Sequence, residues 1–332
     1  MIDNMTLQDM LTYRGRQEIP ADFDVFWQDE LSKLVDLSDY SLLEKDCGLA
    51  QVSCYELNFT GTNGSKIFAK CLFPKSEQAV PVLFYFHGYQ GQGPDWSENL
   101  KFLAAGYGVV AMDVRGQAGR SQDLGQFDGL TVKGQVIRGM LQGPDHLFYK
   151  DVYLDVYQLI EIIASLDFVD QKCLVSYGAS QGGALALVAA ALSPYISKTV
   201  AIYPFLSDFK RVLELGNNSE AYDELFRYFK FSDPFHEREE EVLRTLSYID
   251  VKNLAHLISC PVAMVTGLED GVCPPSTQFA IYNRLEVEKE MKILPEYAHD
   301  AMHVKVNDYV FDYLLGHVFQ LTNQNHQFDW WF

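Results

Sequence analysis

Apolar runs that fit buried strands alternate along this chain with segments whose apolar residues have helical spacing. Six stretches contain such runs: Val80–Gly88, Gly108–Gln117, Lys172–Gly178, Lys198–Leu206, Cys260–Asp270 and Glu290–Asp300. The clearest helical periodicity lies between the second and third runs, over Phe148–Leu166, and an alanine-rich helical segment follows the third run. Strands that are apolar on both faces and separated by helices are typical of parallel sheets. The pattern therefore predicts an α/β fold with a mostly parallel central sheet and helices on both faces.

The two ends of the chain add further elements to this pattern. Ile19–Val35 has apolar residues at helical spacing, and Ser53–Lys75 is typical of two strands joined by a Thr-Asn-Gly-Ser turn. A last helix is predicted over about Val304–Leu315. The chain contains no internal repeat and no low-complexity linker. We therefore expect a single domain over residues 1–332, with an N-terminal helical extension over about residues 1–40.

Composition excludes several classes of partner. The chain has 332 residues and a formal net charge of −19, which repels phosphate backbones and disfavours anionic membrane surfaces. No apolar run reaches the roughly 18–20 residues of a membrane span, and the N-terminus lacks the pattern of a signal peptide. Without CxxC spacing, the cysteines fit reduced thiols of a cytoplasmic protein. The six are Cys47, Cys54, Cys71, Cys173, Cys260 and Cys273.

Polar residues follow several of the predicted strands. In parallel sheets, function concentrates at the carboxyl ends of the strands. Five residues lie at or just after such ends: His87, Arg115, Ser180, Asp270 and His299. Five separate loops thus deliver polar groups to one edge of the predicted sheet.

The stretch Gly178–Gly182, GASQG, matches the G-x-S-x-G pattern of a nucleophile elbow. That turn places a serine on a strained backbone between a strand and a helix, and only small neighbours fit around it. A predicted strand precedes Ser180 and a predicted helix follows it. We expect Ser180 to be a nucleophile, although a glycine-rich turn that serves packing alone would give the same letters.

A serine nucleophile needs a base, and the base needs an orienting carboxylate, in the chain order Ser, Asp or Glu, His. We expect His299 to be the base, because it lies in a loop directly after a late strand, with His303 as the second choice. Asp270 is the preferred acid because it lies nearer the turn at Gly271, and Glu269 is the alternative. The remaining downstream histidines are His236, His256, His317 and His326.

Two backbone amides are needed to stabilise the negative charge that develops on the substrate oxygen. The amide after the nucleophile belongs to Gln181, and the second is expected from the loop His87–Tyr89, where we choose Tyr89. His87 itself is better explained as a buried structural imidazole. This chemistry requires no metal ion and no cofactor.

Three short motifs together resemble carbohydrate esterase family 7, which contains acetyl xylan esterases and cephalosporin C deacetylases. They are RGQ at Arg115–Gln117, GASQG at Gly178–Gly182, and the late histidine–acid pair His299–Asp300. The family usually has glutamate where this chain has Asp300. Longer segments that look like the family are Asp22–Trp27, Phe86–Gly91, Val136–Met140, Tyr203–Arg211, Leu243–Ala255 and Gly267–Thr277.

The resemblance implies an α/β-hydrolase fold and the removal of acetyl groups from acetylated xylo-oligosaccharides and from small esters such as cephalosporin C. Carried over by position, it implies a catalytic triad of Ser180, Asp270 and His299 with oxyanion amides from Tyr89 and Gln181. The motif residues Arg115, Gly116 and Gln117 would support the site, the guanidinium by holding loop carbonyls.

The resemblance also implies a toroidal hexamer whose sites face an internal chamber, with the segment from about Ala118 to Val136 available for subunit contacts. The C-terminal Gln327–Phe332 matches no family motif, and we expect it to dock on the body or on a neighbouring subunit. A broader short-chain esterase or thioesterase, a peptidase, and a scaffold without catalysis remain alternatives, because a fold does not fix a substrate.

Overall fold

The computed structural model describes residues 3–34, 37–129, 133–216, 219–300, 304–316 and 328–330. The ten strands in these ranges form one sheet: β1 (Tyr40–Lys45), β2 (Val52–Thr60), β3 (Lys66–Pro74), β4 (Val80–Phe86), β5 (Gly108–Met112), β6 (Val169–Ala179), β7 (Ile196–Ile202), β8 (Val262–Gly267), β9 (Lys289–Leu294) and β10 (Phe328–Trp330).

The sheet has an antiparallel end and a long parallel part. Its order is β1-β2-β3-β5-β4-β6-β7-β8-β9-β10. The pairs β1–β2, β2–β3 and β3–β5 are antiparallel, and every pair from β5 to β10 is parallel. The carboxyl ends of β4 to β9 therefore meet at one edge. This arrangement confirms the mostly parallel central sheet.

Helices connect the strands. Within the described residues they are α1 (Leu7–Met10), α2 (Phe23–Ser32), α3 (Leu100–Leu103), α4 (Phe148–Ala164), α5 (Gln181–Leu192), α6 (Phe209–Leu215), α7 (Asp223–Phe231), α8 (Glu239–Leu246), α9 (Val251–Leu254), α10 (Pro275–Tyr282) and α11 (Val306–Leu315). Short 3₁₀ turns lie at Thr62–Gly64, Trp96–Asn99, Pro144–His146 and Ala255–Leu257.

Two hydrophobic clusters cover the two faces of the sheet. Successive residues of a strand point to opposite faces, and Phe84 accordingly lies in the larger cluster while Leu83 lies in the smaller one. Helices α4 and α5 contribute to the larger cluster, together with Phe23 and Trp27 of α2. Helix α11 contributes Tyr309 to the smaller cluster. The expectation of helices on both faces is therefore confirmed.

Several element boundaries differ from the sequence-based expectation. Helix α2 begins only at Phe23, after Pro20 has accepted a hydrogen bond from the Phe23 amide, and α11 begins at Val306. The strand β1 was not expected, because as an edge strand it leaves Leu43 60% exposed and lacks a continuous apolar run. Part of the C-terminal segment, Phe328–Trp330, pairs with β9 and extends the sheet.

No helix among the described residues combines the length and the apolar character needed to cross a bilayer. All six cysteines are free thiols, as the sequence indicated.

Candidate active site

Ser180 lies on a strained turn between β6 and α5. Its backbone angles are φ 58° and ψ −121°, a region that a non-glycine residue rarely occupies. Neighbouring backbone holds it there: the Ser180 amide donates to the Ile202 carbonyl at 2.9 Å, and its carbonyl accepts from the amides of Ala184 and Phe205 at 3.0 and 3.1 Å. Strain of this kind persists only where the surroundings impose it. The sequence therefore builds the sharp elbow that the G-x-S-x-G pattern predicted.

The glycines around Ser180 are required by close backbone contacts. A Cβ atom on Gly178 would collide with the backbone of Gly182, and a Cβ on Gly182 would overlap the Phe86 carbonyl. A Cβ on Gly183 would lie 2.8 Å from the Ile202 carbonyl oxygen. The two interpretations of this stretch therefore coincide, since the tight packing holds the half-buried serine in its strained turn.

Asp270 and His299 form a hydrogen-bonded pair at the same edge of the sheet. His299 Nδ1 lies 2.9 Å from Asp270 Oδ2, and the Asp270 carboxylate is fully buried. The other oxygen, Oδ1, accepts from the amides of Val272 and Cys273, both at 2.8 Å. These amides fix the carboxylate, and the carboxylate in turn selects the His299 tautomer that carries its proton on Nδ1. Nε2 is then left free as a base.

The His299 loop is held by an aromatic contact and two further hydrogen bonds. The Tyr203 ring lies against the imidazole with its centroid 4.3 Å away, and the Tyr203 hydroxyl donates to the Asp300 carbonyl at 3.0 Å. The Asp300 carboxylate accepts from the Ala298 amide at 2.7 Å. Asp300, where the family usually has glutamate, therefore stabilises the loop itself.

Ser180, Asp270 and His299 follow β6, β8 and β9, so the parallel sheet delivers all three to one edge. Among the described residues the hydrogen bonds include none from Ser180 to His299. Burial raises the pKa of the Cys273 thiol well above its ordinary value. Catalytic hydrogen bonds are often absent or long in enzymes without substrate.

Three potential metal ligands meet at this point. Within the described residues, one ligand atom each from Asp270, Cys273 and His299 lies within 4.8 Å of the others. A metal ion bound there through His299 Nδ1 would replace the hydrogen bond to Asp270. Because the buried Cys273 is held in the neutral thiol form, it is a poor ligand without deprotonation. The geometry therefore fits a histidine–carboxylate pair better than a metal centre.

Two backbone amides are available for an oxyanion. Gln181 is the first residue of α5, and the amides of a first helical turn have no partner within the helix. Tyr89 is the second residue of a turn closed by a 3.1 Å hydrogen bond from the Gly91 amide to the Gly88 carbonyl, with Gln90 at φ 59°. Such a turn does not use the amide of its second residue. Among the described residues, neither expected donor amide has a hydrogen-bond partner outside its own helix or strand.

The side chain of Gln181 connects the elbow to the RGQ motif. Its Oε1 accepts from Gln117 Nε2 at 2.7 Å and from the Tyr149 hydroxyl at 2.8 Å. Its Nε2 lies 3.3 Å from the His87 carbonyl and donates to it. Gln181 is fully buried, so these bonds position the start of α5 relative to the Tyr89 loop. The expected supporting role of Gln117 has a concrete contact here.

Arg115 makes different contacts from those expected. We expected the guanidinium to hold loop carbonyls, but it forms two 2.6 Å hydrogen bonds to the carboxylate of Asp155 and lies 3.5 Å from Asp151. Arg115 is fully buried, and a buried guanidinium requires carboxylate partners more than neutral carbonyls. It therefore fastens the end of β5 to α4, beneath the site.

The middle residue of the motif, Gly116, has φ 61°, and its carbonyl accepts from Gln135 Nε2 at 2.8 Å.

His87 is a structural residue, as the sequence indicated. Its Nε2 accepts from the Val114 amide at 2.9 Å, and its Nδ1 donates to the Gly88 carbonyl at 2.8 Å. Burial lowers the pKa of His87 and keeps the ring neutral. Both ring nitrogens are occupied, which leaves no atom for catalysis.

Sequence reasoning missed the roles of some residues of the site. Tyr203 begins a segment that resembles the family and follows β7, but nothing in the sequence indicated its contact with His299. Cys273 carried no signal beyond its nearness to Asp270, and Glu224 lies on α7, far from the motifs along the chain. The alternative base His303 lies outside the described residues, as do His317 and His326.

Comparison with known proteins shows which family the chain is similar to. The sequence model of the acetyl xylan esterase (AXE1) family matches residues 1–317. The crystal structure of acetyl xylan esterase 1 from Thermoanaerobacterium sp. JW/SL YS485 superimposes with a TM-score of 0.91 at 43% identity, covering 94% of this chain and 99% of that one. The acetyl xylan esterase from Paenibacillus sp. R4 gives a TM-score of 0.87 at 34% identity, over 93% and 99% of the two chains.

A curated relative is longer than this chain. Acetyl esterase Axe7A of Xylanibacter ruminicola is 30% identical over 289 residues, which are 84% of this chain but 63% of the relative. With the family match over nearly the whole sequence and an α/β-hydrolase fold, the chain belongs to the acetyl xylan esterase family of carboxylic ester hydrolases.

Proposed function

We propose that this protein is a serine esterase that removes acetyl groups through an acyl-enzyme intermediate, with Ser180, His299 and Asp270 as its triad. The observation that carries the proposal is the hydrogen bond between His299 and the buried Asp270, at the sheet edge where Ser180 occupies a strained elbow. Acyl transfer requires an oriented base at the same edge of the sheet as the nucleophilic serine.

In the first half of the reaction, Ser180 Oγ attacks the ester carbonyl while His299 Nε2 takes the hydroxyl proton. The imidazolium that forms is stabilised by the Asp270 carboxylate. The amides of Tyr89 and Gln181 donate to the oxygen that becomes negative in the tetrahedral intermediate. His299 then gives its proton to the leaving alcohol, and acetyl-Ser180 remains.

In the second half, water replaces the alcohol. His299 removes a proton from the water as it attacks acetyl-Ser180, and the same two amides hold the second oxyanion. The intermediate collapses to acetate, and Ser180 recovers its proton from His299. The cycle consumes one ester and one water and needs no cofactor.

The proposed substrates are acetylated xylo-oligosaccharides and related small esters such as cephalosporin C. The names of the two similar solved enzymes, both acetyl xylan esterases, support the sugar. An aromatic side chain supports a short acyl group, because the bulky Tyr203 ring packs against the His299 imidazole. A broader short-chain esterase or thioesterase is the alternative.

A panel of p-nitrophenyl acetate, butyrate and octanoate, with acetylated xylo-oligosaccharides and cephalosporin C, separates these functions. Each misfitted methylene is expected to cost roughly 10–200-fold in kcat/KM. Acetate should therefore be far better than octanoate, and the acetylated sugar should release acetate. Equal values for acetate and octanoate would instead support the broader esterase.

We also propose a homo-oligomer, with a hexamer expected from the family resemblance, and a cytoplasmic location. The exposed Phe231 and Phe235, 64% and 84% accessible in one chain, support burial by another subunit. The six free thiols are compatible with a reducing compartment. The acidic surface is unsuited to nucleic acid or to an anionic membrane.

A further inference from the structure

The hydroxyl of Tyr89 is held by two partners away from the catalytic residues. It accepts a 2.8 Å hydrogen bond from the Gln135 amide and lies 3.3 Å from Glu224 Oε1, to which it donates. The Tyr89 ring packs at a tilt against Phe205, with the ring centroids 5.5 Å apart. Tyr89, whose amide is the proposed oxyanion donor, therefore has both its ring and its hydroxyl held in place.

Glu224 is an unusual residue to find at this position. It is 1% exposed, and its Oε1 also accepts from the Val136 amide at 2.7 Å. Within the described ranges it takes part in no ion pair, and burial raises the pKa of its carboxyl to about 7. Burying a carboxyl without a cation is costly, and such groups concentrate at functional sites.

The same network reaches the second oxyanion donor. Gln135, whose amide binds the Tyr89 hydroxyl, also accepts a 3.0 Å hydrogen bond from Gln117 Nε2 through its side chain. Gln117 binds the Gln181 side chain in turn. One chain of hydrogen bonds therefore runs from Glu224 to both residues that are proposed to supply the oxyanion amides.

We propose that Glu224 and the Tyr89 hydroxyl are positioning residues that hold the Tyr89 amide in place for the oxyanion. This inference rests on the proposed function, which assigns the Tyr89 amide to the oxyanion hole. Within the described residues, backbone and histidine contacts hold the flanks of the Tyr89 turn: the Gly88 carbonyl accepts from the Gly91 amide and from His87 Nδ1, and the Gly91 carbonyl accepts from the Ala118 amide. Tyr89 lies between these flanks, next to Gln90 with its positive φ, and its own anchor is its side chain.

The test is the variant Tyr89→Phe, which removes the hydroxyl and keeps the ring on Phe205. Losing a whole oxyanion donor costs about 10²–10³-fold in kcat, so a donor that is misplaced part of the time is expected to cost about 10-fold. The loss should fall on kcat for p-nitrophenyl acetate with KM unchanged. Affinity for a trifluoromethyl ketone, which forms an oxyanion adduct with the serine, should fall by the same factor.

Glu224→Gln keeps the size of the side chain, and at a pH above about 7, where Glu224 is mostly ionised, it weakens the hydrogen bonds because a neutral acceptor replaces a charged one. Its kcat is expected to fall about 3-fold, with KM again unchanged. Because both groups act on one amide, the double variant should be no worse than Tyr89→Phe alone. Glu224→Gln also supplies the measurement if Tyr89→Phe does not fold.

Tyr248→Phe is the matched control, since it removes a tyrosine–carboxylate hydrogen bond to Asp22 beside α2. It should leave kcat and inhibitor affinity within about twofold of wild type. If both variants at the network match wild type in kcat and in affinity for the ketone while Ser180→Ala is inactive, the positioning role is wrong and the esterase stands. An active Ser180→Ala would instead overturn the proposed function.

Discussion

The Asp270 carboxylate is held more firmly than its neighbour Glu269. Backbone amides occupy one Asp270 oxygen and His299 the other, and the residue has no exposed surface. Glu269 contributes only its backbone amide to the neighbouring loop, at 3.0 Å from the Tyr297 carbonyl. The contact with the histidine supports the proposal of Asp270, rather than Glu269, as the acid.

Asp270→Asn is expected to lower kcat for p-nitrophenyl acetate by about 10⁴-fold, the loss that the same change gives in a serine-protease triad. The amide keeps the shape of the carboxylate but favours the wrong His299 tautomer. Glu269→Gln is the matched control and should retain near-normal turnover. Steady-state kinetics decide the point, and the reverse order of the two variants would assign the acid to Glu269.

At the scale of elements, the turn between β6 and α5 depends on glycines, which have no Cβ atom. Gly182→Ala would place a methyl group on the Phe86 carbonyl of β4, with backbone on both sides and no flexible side chain to move. We expect a loss of about 4 kcal/mol or more in the free energy of unfolding, the size that marks a severe core clash.

Gly88→Ala is the control, because a Cβ there meets no atom within 4 Å. Its stability should change by less than about 1 kcal/mol. Urea unfolding followed by circular dichroism measures both. A Gly182→Ala protein as stable as Gly88→Ala would mean that β4 and α5 are not in contact.

The end of β5 is joined to α4 by the pair of Arg115 and Asp155. Arg115→Met leaves Asp155 buried without its partner, and breaking such a pair is expected to cost about 3–5 kcal/mol. Replacing both, as in Arg115→Met with Asp155→Leu, should recover most of that loss, because Asp151 keeps its 2.8 Å ion pair with Lys150 and no unpaired charge remains. Urea midpoints of the three proteins give the comparison, and a single variant of wild-type stability would show that the pair contributes nothing.

The sequence predicted most elements because continuous apolar runs and helical spacing are strong local signals. It did not predict β1, whose residues are largely exposed, nor the edge pairing of Phe328–Trp330 with β9. At the site, too, residues with a local sequence signal were predicted and residues without one were not. Ser180 and His299 lie in motifs or at strand ends. Arg115 and Asp155, by contrast, are separated by 40 residues along the chain, and only folding brings them together.

At the scale of the whole molecule, the family resemblance predicts a hexamer. If the family resemblance extends to quaternary structure, static light scattering at micromolar concentration should report six times the 37.8 kDa of one chain. Burial of exposed residues such as Phe235 is the physical reason to expect association. A mass of one chain would exclude the internal chamber and leave the chemistry of the site unaffected.

The proposed esterase mechanism depends on the hydroxyl of Ser180. The most direct measurement is kcat/KM for p-nitrophenyl acetate of Ser180→Ala beside Ser176→Ala, which removes a buried serine hydroxyl from the same strand. We predict that Ser180→Ala loses roughly 10⁶-fold, as triad serines do, with native circular dichroism, while Ser176→Ala keeps its turnover. Near-normal activity in Ser180→Ala would contradict the account.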